Sequence, residues 1–220
     1  MHKLIRRLYV TAAIVGAALL PQAQAASVMI DFEGAALTNL YFPGDSFAQS
    51  GFKLTVDFDA AIVDTAAALG GSAPTGNASQ FFSGLNDSGL IVERVDGGLF
   101  SLTGFDTAFI PLNPPSPLNT VIVAAGVRAD NSVFCIAWLF SQAFQTLNDP
   151  LDFSAFNDVK LVEFFACSFD GFNVCAAPTA NNGQFAIDNI QVAFVPEPST
   201  LALLPLALLG LALRKRRTVR

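Results

Sequence analysis

The residue types able to do chemistry are few, and what is missing already excludes several reactions. The only histidine is His2, inside a segment that reads as a removable leader. The mature chain therefore has no Ser-His-Asp triad, no Cys-His pair and no histidine metal site. Carboxylates could still support glycoside hydrolysis, and Asp57 with Asp59, or Glu93 with Asp96, are the nominal pairs. Neighbours in sequence make a weak case, because strand residues two apart share a face and loop acids are solvated. There is no G-x-x-x-x-G-K-[ST] phosphate loop and no dinucleotide-binding glycine fingerprint. The chain reads as a non-enzyme.

The three cysteines, Cys135, Cys167 and Cys175, all lie in the part expected to be exported, where disulfides are permitted. Cys167 and Cys175 flank a Gly- and Asn-containing stretch that can turn back on itself, so they are the expected pair. Closing so small a loop contributes on the order of 2–3 kcal/mol by the chain-entropy argument. Cys135 is then left as a buried thiol in an apolar strand, and a link from Cys135 to either of the others is the alternative.

The elements that must position these groups show a period of two. Val28, Ile30 and Phe32 alternate with Met29, Asp31 and Glu33, and Phe52, Leu54, Val56 and Phe58 alternate with Lys53, Thr55 and Asp57. Each is a strand signature with one buried face. Further strands are expected at 90–95, 99–105, 120–128, 132–140, 158–166 and 184–194, with turns at 97–98, 113–115, 148–150 and 181–183. Residues 60–69 are read as a loop or crossover, with a short helix as the alternative. Residues 132–140 are apolar on both faces, which suits a central strand. About eight strands and no convincing helix predict an all-β fold, an antiparallel β-sandwich of jelly-roll type. No internal repeat is visible, which disfavours a solenoid or propeller.

The two ends are targeting segments. Lys3, Arg6 and Arg7 precede an apolar stretch over 8–20 and then Ala23-Gln24-Ala25, the order of a secretory signal peptide cleaved after Ala25. At the other end Pro196-Glu197-Pro198 precedes an apolar run over 201–213 and the cations Arg214, Lys215, Arg216 and Arg217. Thirteen apolar residues make a helix of roughly 20 Å, short of the ~30 Å hydrocarbon core, so the flanks must extend it and the cations must snorkel. Clustered Lys and Arg stay cytoplasmic, which puts the C-terminus inside and the domain outside. The domain boundaries expected are 1–25 for the signal peptide, 26–194 for the β-sandwich and 195–217 for the tail, with its transmembrane helix at 200–213.

This order closely resembles the PEP-CTERM sorting tail of Gram-negative bacteria, which overlaps the ice-binding-protein C-terminal motif. The resemblance covers about a tenth of the chain. It implies that exosortase, a membrane-embedded cysteine protease-transpeptidase, recognises Pro196, Glu197 and Pro198 and releases the protein from a transient anchor in the inner membrane. The destination it implies is the cell surface or an extracellular matrix, often one rich in exopolysaccharide. Each proline fixes φ and disfavours helix in the residue before it, so the triplet is expected to be extended and accessible.

A second resemblance lies in the opening Ile30-Asp-Phe-Glu-Gly34 and the closing Phe185-Ala-Ile-Asp-Asn-Ile190. These look like the first and last strands of jelly-roll domains found in tail-bearing proteins and carbohydrate-binding modules. In such domains the terminal strands run side by side, and the resemblance implies a structural Ca²⁺ held by Asp31 or Glu33 together with Asp188. The alternative is that these are polar residues on a solvated sheet face.

Charge and aromatic content narrow the partners. Between residues 26 and 194 there are seventeen acidic residues against four basic ones (Lys53, Arg94, Arg128, Lys160), a net charge of −13, which repels nucleic acid. Carbohydrate binding needs exposed aromatics. Trp138 shares a strand face with Phe134, Ile136 and Phe140 and reads as core, while Tyr41-Phe42 and Phe81-Phe82 stand beside turn residues and are candidates for exposure. Two readings result: an exported, non-catalytic surface or matrix protein, or an exopolysaccharide-binding module. Literal ice binding would need a regular Thr-rich face, and no T-x-T array supplies one.

Overall fold

Period-two alternation becomes strand wherever one row of side chains can be buried. In β4 (Phe52–Asp57), Phe52, Leu54 and Val56 are fully buried and Lys53 is exposed. The computed structural model describes residues 26–34, 39–110, 119–139, 141–169, 175–176 and 183–195, which fall within the compact unit Ala26–Val195. The leader with Ala23 and Ala25, the triplet Pro196 to Pro198, the apolar run, the basic end and the expected turns at 113–115 and 181–182 lie outside these residues. Among the described residues, no helix is long and apolar enough to cross a membrane.

The strands form two antiparallel layers. In the first, β2 (Asn39–Tyr41), β5 (Ala61–Asp64), β6 (Phe81–Gly84), β14 (Phe185–Phe194) and β8 (Phe100–Phe109) follow one another across the sheet. There β1 (Ser27–Ile30) pairs with β14 and β11 (Gln145–Leu147) pairs with β8. The second layer runs β3 (Ser46–Gln49), β4, β7 (Gly89–Arg94), β12 (Val159–Phe169), β9 (Asn119–Arg128) and β10 (Val133–Leu139). The two-residue β13 (Cys175–Ala176) pairs along the end of β12. Among the described residues, one pairing joins the layers, Val159 with Phe100.

The inner faces meet in a phenylalanine-rich core. Phe105 on β8 lies edge-on to Phe164 on β12 with ring centroids 5.0 Å apart, and Phe52 on β4 meets Phe100 on β8 at 5.1 Å. Edge-to-face geometry at these distances contributes beyond the apolar area removed from water. The fold is an all-β antiparallel sandwich, and its first and last strands run side by side, Ile30 opposite Ile190.

Five local expectations change. Phe58, expected in the buried row with Phe52, Leu54 and Val56, follows the end of β4 with a left-handed backbone and is exposed. Residues 61–64 form a strand and Ala66–Leu69 a single helical turn, so the expected loop is a strand followed by a crossover. Phe81 and Phe82 are fully buried because both faces of β6 are covered: Phe82 packs on Phe185 and Phe81 on Phe144. β10 is an edge strand that pairs with β9 alone among the described strands. Its inner row faces the core, Trp138 stacking on Phe153 at 5.4 Å and donating from Nε1 to Asp152 Oδ2 at 2.8 Å. Its outer row is open, with Val133 69% and Leu139 74% exposed. Cys135 lies in that row and is exposed, where a buried thiol was expected. A strand apolar on both faces is central only when both faces are covered.

Candidate functional site

Two places on the sandwich collect polar chemistry. The first is a seam on the outer face of the first layer, where residues 65–80 cross over the sheet. Asp188, near the middle of β14, is fully buried. Its Oδ2 accepts hydrogen bonds from Asn77 Nδ2 at 2.7 Å and Ser79 Oγ at 3.0 Å, and its Oδ1 from the Asn189 backbone N–H at 2.7 Å. Asn189 has φ 48°, at a point where the β14–β8 register shifts, and its Nδ2 donates to Asp106 Oδ2 at 2.8 Å. Thr146 Oγ1 donates to the other Asp106 oxygen at 2.6 Å. Burial pushes the Asp188 carboxyl up to about 6 and the Asp106 charge adds to this, while the bonds from Asn77, Asn189 and Ser79 oppose it.

The seam continues to the first strand. Phe32 has φ 57° and its ring is buried against Phe47 and Phe82. Around this bend Gln49 donates from Nε2 to Asp31 Oδ1 at 2.6 Å, and its Oε1 accepts from the Phe32 N–H at 3.0 Å. Gln80 N–H donates to Glu33 Oε1 at 3.1 Å, and Gln80 Oε1 accepts from the Gly34 N–H at 3.1 Å. The residues implied for calcium, Asp31, Glu33 and Asp188, thus lie along one hydrogen-bonded seam, but each carboxylate has its own protein donors. Among the described residues, no group of three or more His, Cys, Asp or Glu is gathered closely enough to hold a metal ion. The acidic residue linked to Asp188 through Asn189 is Asp106, which sequence reasoning missed. Asn77 and Ser79 were missed as well, being 111 and 109 residues away in the chain.

The second place is the outer face of the second layer. The register puts Thr55, Ile91 and Glu163 in one row and Asp57, Gly89 and Phe165 in the next. Phe58, 63% exposed with φ 65°, lays its ring over Gly89. A Cβ at Gly89 would stand 3.2 Å from Phe58 Cδ2 and 3.5 Å from Glu163 Oε1, so the missing side chain makes room for the ring. Thr55 Oγ1 and Glu163 Oε1 are buried in this row and have no hydrogen-bond partner among the described residues. Burial raises the Glu163 carboxyl above its ordinary range, and the Asp57 charge does so further.

The remaining candidates sort simply. Glu93 pairs with Lys53 at 3.0 Å and Asp96 with Arg94. Asp57 and Asp59 accept from the backbone of Phe58 and Ala60 at 2.9 and 2.7 Å. Both nominal hydrolytic pairs are therefore engaged by local donors. Tyr41 packs on Phe47 at 5.1 Å, whereas Phe42 is 56% exposed. Cys175 sits opposite Phe169 and so lies diagonal to Cys167, two residues back along β12.

Solved structures similar to the chain include the tandem CBM22-1-CBM22-2 domain of Paenibacillus barcinonensis Xyn10C, with 10% identity and a TM-score of 0.38 over 80% of this chain and 49% of that one. The chain thus spans about half the length of that tandem domain. Two others are the C-terminal family 22 carbohydrate-binding module of Clostridium thermocellum Xyn10B (12% identity, TM-score 0.36, 79% and 97% covered) and TmCBM61 in complex with β-1,4-galactotriose (9%, 0.36, 67% and 90%). No curated protein matches the chain. The family described as the PEP-CTERM protein-sorting motif matches residues 194–217, so the chain carries that sorting motif across the triplet, the apolar run and the basic end.

Proposed function

We propose that this is an exported, non-catalytic protein of the cell surface or extracellular matrix, in a Gram-negative bacterium whose exosortase processes its tail. The observation that carries the reading is the coincidence of the matched motif, residues 194–217, with Pro196-Glu197-Pro198, the apolar run and Arg214 to Arg217. In this reading the leader is removed after Ala25, the domain spans residues 26–194, and residues 200–213 cross the inner membrane with the cations in the cytoplasm. Extended backbone at the two prolines presents Glu197 to the enzyme just outside the bilayer. Cys167 and Cys175 form a disulfide, supported by their diagonal placement across β12 and β13. Replacing Pro196, Glu197 and Pro198 together by Ala leaves uncleaved protein in the membrane fraction of a host with exosortase. Equal release of variant and wild type would contradict the reading.

A second reading, binding of an exopolysaccharide, is favoured by the Phe58 site. An exposed ring offers a sugar its apolar face, and the partly exposed Asp57 carboxylate beside it supplies oxygens for hydroxyl groups. Affinity electrophoresis through a panel of polysaccharides should retard the wild type and not Phe58→Ala; no retardation by any sugar counts against it. For calcium, this reading keeps Asp188 together with Asp31 or Glu33 as the oxygen donors, the cation's charge offsetting the buried carboxylate. Added Ca²⁺ should raise the melting temperature and a chelator should lower it again. An unchanged melting temperature would remove calcium from the account.

A further inference from the structure

The β10 edge of the second layer is unpaired among the described residues, and the sorting reading does not use it. The hairpin between β9 and β10 fixes which backbone groups point outward. Arg128 N–H donates to Ser132 O at 3.0 Å, and with Val133 opposite Val127 this makes Ser132 and Arg128 a hydrogen-bonded pair. Alternation along an antiparallel ladder then directs the N–H and C=O groups of Phe134, Ile136 and Trp138 toward β9, and those of Val133, Cys135, Ala137 and Leu139 away from it. The Leu139 carbonyl is already taken, accepting from Gln145 Nε2 at 2.8 Å. Among the described residues, Val133, Cys135 and Ala137 are thus the strand residues whose edge groups stand open.

Natural sheets defend such an edge with charges, proline, a bulge or a cover. Here the strand reads Val-Phe-Cys-Ile-Ala-Trp-Leu, with no charge and no proline, and its pairing with β9 is regular along its whole length. The surrounding domain carries a net charge of −13, so two copies repel over most of their surfaces and meet most easily along an uncharged strip.

We propose that two copies of this chain pair antiparallel through β10, about a two-fold axis at Cys135. This register uses the three open residues of both copies: Val133 opposite Ala137 of the second copy, Cys135 opposite its own equivalent, and Ala137 opposite Val133. Shifting by one pair in one direction would meet the Leu139 carbonyl that Gln145 occupies, and in the other would leave Ala137 unpaired. The contact is isologous, as a two-fold requires. Cα atoms of a hydrogen-bonded antiparallel pair stand about 5.5 Å apart, within the span a disulfide accepts.

The test uses the released protein purified from its host. Analytical ultracentrifugation over a dilution series should show a reversible dimer. Diamide should lock it covalently: the two Cys135 thiols lose two electrons and two protons to the azo reagent, which becomes the hydrazine as the S–S bond forms. Cys135→Ser should abolish the covalent dimer and keep the reversible one. Val133→Lys, on an already exposed side chain, and Ala137→Pro, which deletes an outward N–H, should each move the monomer–dimer midpoint at least tenfold toward monomer. A monomer at every concentration with no diamide cross-link would overturn the proposal. So would a dimer that neither edge substitution weakens, or an assembly in which another protein replaces the second copy.

Discussion

The two layers of the sandwich treat their outer faces in opposite ways. On the first, Phe81, Ala108, Ile110 and Ala186 form a small buried cluster under Ala66, Leu69 and Phe144, and the covering segment is latched to the sheet through Asn77, Ser79 and Asp188. On the second, Val121, Val123 and Cys167 are buried with Phe165 over part of the face, but Phe58, Val133 and Leu139 are more than half exposed, and Glu163 and Thr55 hold buried polar atoms without partners among the described residues. Among the described residues, the seam carboxylates of the first layer are therefore bonded within the chain, whereas the second keeps an open strip and two unsatisfied buried oxygens beside its covered cluster. Charge alone does not separate them, since both faces carry carboxylates. Hydrogen-bond satisfaction does.

This contrast can be broken from the core outward. Phe105→Ala removes a ring that touches Trp138, Phe153 and Phe164, and should destabilise the domain by about 3–5 kcal/mol in chemical denaturation. A loss under about 1 kcal/mol would mean that the layers do not share this core. Next comes pH. The folded carboxyl of Asp188 lies at about 6 against an ordinary 3.8, so the folded state holds the proton more tightly than the unfolded chain. Its contribution is fully present below the unfolded value and is lost as pH rises through about 6, a change of order 3 kcal/mol. With chelator present, Asp188→Asn should flatten that dependence between about pH 4 and 7; an unchanged slope would place the titration elsewhere. Smaller still, Asp57→Asn beside Phe58 should shift stability by less than about 1 kcal/mol while weakening any polysaccharide retardation; unchanged retardation would remove Asp57 from that site.

Long strands were legible because alternation over β8, β9, β12 and β14 gives many consistent turns of the pattern. The shorter β2, β3, β5 and β11 offer too few residues for a period of two to stand out. β10 shows where the pattern misleads, since composition cannot say whether an apolar outer row is covered. Its inner row was read correctly, because Phe134, Ile136 and Trp138 do face the core. Phe81-Phe82 failed in the opposite sense: the turn after them suggested exposure, and a cover arriving from residues 65–80 buried both rings. At the seam, Asp188 was named from the sequence. Its partners Asn77, Ser79 and Asp106 are brought to it only by the pairing of β14 with β6 and β8, which no local spacing encodes.

The central claim concerns the ends of the chain, and the intact mass of the protein recovered from outside the cell tests it most directly. The account predicts a species that begins at Ala26 and has lost Arg214 to Arg217 with the rest of the tail. Recovery of a soluble cytoplasmic species that still carries both Met1 and Arg220 would contradict it.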